Sequence, residues 1–154
     1  MLQSIHQNIT YRGIQVYDKV ANNRCAADYP FLSIERINTK SVNTGGRLKR
    51  MIRFLKNIKA DSKQKIDLSS FDINAICYNI DIDAYKDLHY LYLVTIVFLQ
   101  LHKIAYDESY ANSITSVDGK EYIFRGNNKR REVATMLQNV STIYSILKEQ
   151  HLII

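Results

Sequence analysis

Two cysteines, Cys25 and Cys77, are all that this 154-residue chain contains, far apart and with no Cys-x-x-Cys spacing. That argues against a disulfide scaffold or a zinc site and for reduced thiols in the cytoplasm. Met1 to Thr10 is polar and has no apolar core, so no signal peptide is expected and the protein should stay inside the cell. Tyr90 to Leu99 is a run of ten uncharged residues, far short of the roughly 20 apolar residues of a membrane span. No membrane partner is expected. Acidic residues are missing from Arg47 to Lys59, where six Lys or Arg stand, as many charges as the net +6 of the whole chain. A pI near 9.3 suits a polyanionic partner, either nucleic acid or nucleotide phosphates, and is equally compatible with a merely soluble protein.

What is present reads as one domain, since 154 residues at 46% hydrophobic support one sizeable core. Over Thr44 to Lys59, Leu48, Met51, Ile52, Leu55 and Ile58 share about one third of a helical wheel, while Lys49, Arg53 and Lys56 form an opposing stripe. A stripe of this kind is ordinarily a solvated helix face. Its Gly45-Gly46 start suggests backbone amides left uncovered at a helix N-terminus, where dipole and lysines favour a phosphate.

Alternation over Tyr11 to Val20 and over Phe31 to Ile37 predicts two strands, near 12–18 and 31–37, with Tyr29-Pro30 setting an extended approach to the second. Ser69-x-x-Asp72 is a capping-box start. Helices are expected near 45–59, 70–80, 85–104 and 130–149, packed around the Tyr90 to Leu99 segment, with Leu55, Val94, Phe98, Val140 and Leu147 in one core. Asp118-Gly119 between two short apolar runs is a hairpin signal. The fold class is therefore α+β, predominantly helical, a helical bundle with a short strand pair at one edge.

Other candidate sites read more simply as structure. Asp81-Ile82-Asp83 suggests a carboxylate pair for a metal, yet aspartates between helices are commonly caps. His89 and His102 would stand about 140° apart on a helix, which suits structural histidines better than a shared metal. Arg125, Lys129, Arg130 and Arg131 cluster at the start of the last helix; positive charge there is locally unfavourable, so either an anion is bound or the cluster is exposed and hydrated.

In order and spacing, Gly13-Ile14-Gln15-Val16-Tyr17-Asp18, Asp28-Tyr29-Pro30, Ile34-Glu35-Arg36-Ile37-Asn38-Thr39-Lys40, Thr44-Gly45-Gly46-Arg47-Leu48-Lys49, Ile52-Arg53-Phe54-Leu55-Lys56 and Ser69-Ser70-Phe71 form a connected set. Over about residues 12–83 it resembles the second half of nucleotidyltransferases of the oligoadenylate-synthetase and bacterial cyclic-dinucleotide-synthase type. The resemblance implies that 12–40 is the edge of a catalytic sheet and that 44–154 is a helical C-terminal domain closing over the nucleotide. It also implies that Lys49 contacts phosphate and that Ser70 sits near the nucleotide cleft. The family often has an acid four positions after that serine, where this chain has Asn74, which leaves base or acceptor contacts there open.

The expected nucleotide- and phosphate-binding set is Thr44, Gly45, Gly46, Lys49, Arg53, Ser69 and Ser70. No catalytic and no metal-binding residue is assigned. Enzymes of this type hold a triphosphate on a Gly-Gly or Gly-Ser turn followed by Asp-x-Asp and a third carboxylate, which bind two metals. This chain has no Gly-Ser, and its Asp81-x-Asp83 follows the basic helix instead of preceding it. By resemblance, Mg and a nucleoside triphosphate belong to the complete enzyme, with a separate catalytic palm domain as partner. A basic RNA- or DNA-binding module is the alternative, with salt-dependent affinity. A helical ribonuclease is disfavoured, because no Arg is followed four to six residues later by His.

Overall fold

Pro30 stands at the first position of α1 (Pro30–Asn43), where its fixed φ suits a helix and its missing N–H leaves no bond unmade. The computed structural model describes residues 17–18, 23–24 and 30–154. The expected strand near 31–37 is thus helical, and the expected pairing of a 12–18 strand with it is not found among the described residues. Burial gives the reason. Leu32, Ser41 and Thr44 are buried, with Arg36, Ile37 and Lys40 half-buried between them, a helical period that the short alternation over Phe31 to Ile37 conceals. Tyr17–Asp18 (β1) instead pairs antiparallel with Asn23–Arg24 (β2), two residues on each side. The rest of the expected first strand and Cys25 lie outside the described residues.

α2 (Arg47–Asp61) and α3 (Ser70–Tyr78) follow, then 3-10 turns at Ile82–Ala84 and Tyr90–Tyr92, α4 (Leu93–Tyr106), α5 (Glu108–Ser113) and α6 (Lys129–Glu149). The expected helices at 45–59, 70–80 and 130–149 correspond to α2, α3 and α6. The one expected over 85–104 begins only at Leu93, because two side chains divert the preceding chain into single turns. Asp81 Oδ1 accepts from the Asp83 amide at 2.9 Å, and His89 Nδ1 accepts from the Leu91 amide at 3.2 Å. The diversion sends Tyr85 into the core, 0% exposed. It also lays the Tyr90 ring against two guanidiniums of α2, Arg47 at 4.9 Å and Arg50 at 3.9 Å from the ring centre.

α4 and α6 make the most extensive helix pair, and α2 packs against α3, α4 and α6. Their shared core holds Leu48, Met51 and Leu55 of α2, Ile73 and Ile76 of α3, Leu101 and Ile104 of α4, and Met136 and Val140 of α6. Each fully buried aliphatic side chain stabilises the fold by roughly 1.5–3 kcal/mol. Of the expected core set, Leu55 and Val140 are buried and Val94 and Phe98 pack half-buried against them, while Leu147 is not part of the cluster. Phe98 stacks on Tyr144 with ring centres 4.5 Å apart. The Asp118-Gly119 turn closes a hairpin with a single bridge between Thr115 and Tyr122, Gly119 taking φ 74°.

Candidate functional site

The Gly45-Gly46 corner is a helix terminus of a different kind from the one expected. Both glycines are left-handed, φ 60° and 83°, a conformation that side chains resist. The corner caps the C-terminus of α1: the Gly46 amide donates to Ser41 O at 2.8 Å and the Gly45 amide to Val42 O at 3.2 Å. The following amides are engaged too, Arg47 with Thr44 O, Leu48 with Thr44 Oγ1 and Lys49 with Ser41 Oγ. Buried Thr44 also donates its hydroxyl to Ser41 O at 3.0 Å. The amides expected to be open are therefore satisfied, because the segment before them is a helix with carbonyls to offer. The backbone of Thr44, Gly45 and Gly46 has a structural duty here.

The six cations of α2 divide by partner. Arg47 Nε donates to Leu88 O at 2.7 Å and its guanidinium lies over Tyr90; Arg50 covers the same ring; Lys59 Nζ donates to Leu68 O at 2.6 Å. These three brace α2 against neighbouring segments. Lys49, Arg53 and Lys56 are exposed, and none of their side chains makes a hydrogen bond, ion pair or ring contact among the described residues. At positions i, i+4 and i+7 they form one line of free charge along the helix.

The same helix packs against α3. Ser69 caps α3, its hydroxyl accepting from the Asp72 amide at 3.1 Å while the Ser69 amide donates to Asp72 Oδ2 at 2.9 Å, the expected capping box. The Ile73 amide donates to Ser69 O, so the amides of this helix start without a partner among the described residues are those of Ser70 and Phe71. Ser69 and Ser70 are exposed. Lys59, bonded at Leu68 O, fixes this start beside the C-terminal end of α2. Lys49 lies ten residues back, roughly 15 Å along the axis, so the expected site residues fall into two groups instead of one. Lys56, one turn before Lys59, belongs to the same line and was missing from the expected set; the i, i+4, i+7 spacing was the signal that included it.

Three members of the second basic cluster have protein partners, while Arg125 and Arg131 are also exposed. Lys129 Nζ bonds Asp72 Oδ1 at 2.9 Å, Arg130 donates to Ile104 O and Ala105 O at the C-terminus of α4, and Arg125 donates to Asn112 O and lies over Tyr122. Exposed Arg131 has no side-chain partner among the described residues. Asp83 pairs with Lys86 at 3.1 Å. No group of three or more His, Cys, Asp or Glu among the described residues is arranged to hold a metal ion.

Near the end of α3, Lys40 Nζ donates to Tyr78 O and Ile80 O beside an open cleft of about 420 Å³ between α1 and Tyr78. Burial pushes the Lys40 ammonium below its ordinary value, against the opposing pull of Asp81 and Cys77. Burial pushes the Cys77 thiol up to about 12, which makes it an inert packing group and not a nucleophile. No described helix is long and apolar enough to cross a membrane.

Residues 35–145 match the family model of the cGAS/DncV-like nucleotidyltransferase C-terminal helical domain. The chain is 53% identical over 150 residues to a c-di-GMP synthase of Capnocytophaga granulosa, covering 95% of this chain and 43% of that protein. It is 47% identical over 148 residues to a c-di-GMP synthase of Flavobacteriaceae sp. genome_bin_11, covering 93% and 40%. The solved STING-associated CdnE c-di-GMP synthase from Capnocytophaga granulosa matches with a TM-score of 0.86 at 52% identity, over 91% of this chain and 46% of that one. A CdnE cyclic dinucleotide synthase from Elizabethkingia meningoseptica shares the fold, with a TM-score of 0.65 at 16% identity. The chain spans less than half the length of the curated relatives it matches.

Proposed function

This chain belongs to the cGAS/DncV-like nucleotidyltransferase C-terminal helical domain family, and we propose that it grips the triphosphate of a donor nucleotide for a catalytic half that carries the metal-binding carboxylates. The observation that supports the reading is the sorting of the α2 cations: three are consumed as braces, and Lys49, Arg53 and Lys56 are left in a line without a partner among the described residues, on the helix whose Lys59 holds the approach to α3. In this reading a triphosphate is held by cations of that line together with the Ser70 hydroxyl and the N-terminus of α3, each favourable to anionic oxygen. Charged hydrogen bonds of this kind contribute about 1.5–3 kcal/mol each.

The Capnocytophaga granulosa and Flavobacteriaceae relatives are c-di-GMP synthases, so the donor proposed for this chain is GTP and the product of the complete enzyme a cyclic dinucleotide. In this reading the chain alone binds triphosphate and transfers no nucleotidyl group, since no metal-binding cluster stands among the described residues. Calorimetric titration with GTP and ATP, combined with a pyrophosphate-release assay in Mg²⁺, tests this. Binding without pyrophosphate release is expected. Pyrophosphate released by the pure chain would refute its incompleteness, and salt-sensitive binding to RNA with no response to triphosphate would replace the reading with nucleic-acid binding.

A further inference from the structure

Asp72 puts a carboxylate where a phosphate-binding helix start has least use for one. It is the third residue of α3, 2% exposed, within one turn of the Ser70 hydroxyl and the open amides. The capping box needs Asp72 Oδ2 and the Asp72 amide only. The second oxygen, Oδ1, accepts from Lys129 Nζ at 2.9 Å, across 57 residues of sequence. Lys129 is the first residue of α6, a position where a cation opposes its own helix dipole. What it gains there is Asp72. The adjoining cleft is lined by Asp67 and Glu132 as well. Asp67 is exposed and Glu132 half-exposed, so water screens both. Asp72 is the buried carboxylate of this cluster, and its charge needs a partner held in place.

We propose that Lys129 is a positioning residue for triphosphate binding: by neutralising Asp72 it lets the start of α3 take a polyanion while Asp72 keeps its capping bonds. The inference rests on the proposed phosphate role of Ser70 and its neighbours. It separates charge from structure, because Asn at position 72 retains an oxygen for the Ser69 amide and carries no charge.

The test titrates GTP into the chain and four variants, with thermal melts of each. Lys129→Met leaves Asp72 unneutralised and should weaken GTP binding roughly tenfold, the scale of one unit charge a few ångströms away at a protein surface. Lys129→Arg should restore it. Asp72→Asn alone should bind GTP about threefold more tightly than the unaltered chain, a change of opposite sign from any loss of structure. The double variant Lys129→Met with Asp72→Asn should return to within about twofold of the original affinity.

A double variant as weak as Lys129→Met, or an Asp72→Asn variant that binds more weakly, would overturn the proposal. Should Lys129→Met fail to fold, the sign of the Asp72→Asn effect decides alone. Failure of the unaltered chain to bind GTP would overturn the proposed function and this inference with it, whereas binding indifferent to all four variants would overturn this inference only.

Discussion

Lys59 donates from Nζ to the carbonyl of Leu68 across 2.6 Å, and that bond fastens the end of α2 to the approach of α3. Lys56 stands one turn earlier and makes no such bond among the described residues. The two lysines are alike in sequence and opposite in duty. Lys59→Met should lower stability by about 0.5–1.5 kcal/mol, seen in denaturant melts, and change GTP affinity less than about twofold. Lys49→Ala and Lys56→Ala should each weaken GTP binding by roughly ten- to a hundredfold with unchanged melting, while Lys63→Ala in the exposed connection does little. Equal losses of affinity at Lys63 and Lys56 would contradict the sorting.

Phe98 is half-buried and stacks on Tyr144, whereas Leu101, almost one turn later on α4, is fully buried. Leu101→Ala should therefore cost about 2–5 kcal/mol. Phe98→Ala should cost less, about 1.5–3 kcal/mol, the burial and stacking of one partly covered ring. Urea melts of both variants check the order; a larger loss at Phe98 would mean that the α4–α6 seam, not the α2–α4 core, carries the fold.

His151 closes α6 with φ 57°, and the Leu152 amide donates back to Leu147 O at 2.9 Å, as in a left-handed helix cap. Glycine takes that conformation without strain, so His151→Gly should raise stability by about 0.5–1 kcal/mol. A lower melting temperature would show that the imidazole makes a contact that outweighs the strain.

Cys77 keeps its proton in the folded state up to about 12, against 9.0 for an ordinary thiol. Between those values the unfolded chain loses a proton that the folded chain retains, so stability falls as pH rises, by about 1.4 kcal/mol per pH unit at the steepest. Buried Tyr85, also shifted upward by burial, adds to the fall above the ordinary tyrosine range. Lys40 acts with the opposite sign: its folded value lies below 10.5, the unfolded chain binds the extra proton, and stability rises as pH approaches that value. Comparing Cys77→Ala with the original chain isolates the thiol. Its denaturation midpoint should decline less between about pH 8 and 10, and parallel declines would contradict the assignment.

The amphipathic pattern of α2, with Leu48, Met51, Ile52 and Leu55 on one side, was legible because period 3.6 persists over four turns, and the Ser69–Asp72 capping box was legible because it is local. The helix over 31–37 was not. Pro30 restricts the residue before it, which suggested an extended approach, while the same proline is well suited to begin a helix. That one misreading concealed the carbonyls of α1 and made the Gly45-Gly46 amides look open. The distinction between bracing and free cations depends on Leu68, Leu88 and Tyr90, which only the tertiary fold brings to α2, and the neutralisation of Asp72 depends on a lysine 57 residues away. Sequence displayed the charges; it held no record of which were already spoken for.

The central claim is that an unpaired row of cations on α2 binds nucleotide triphosphate. The direct measurement is calorimetric titration of GTP into the chain and into a triple variant, Lys49→Ala with Arg53→Ala and Lys56→Ala, that melts at the same temperature. The account predicts saturable one-site binding by the chain, weakening as salt is raised, and no measurable heat from the variant. Binding of equal strength by both, or by neither, would contradict it.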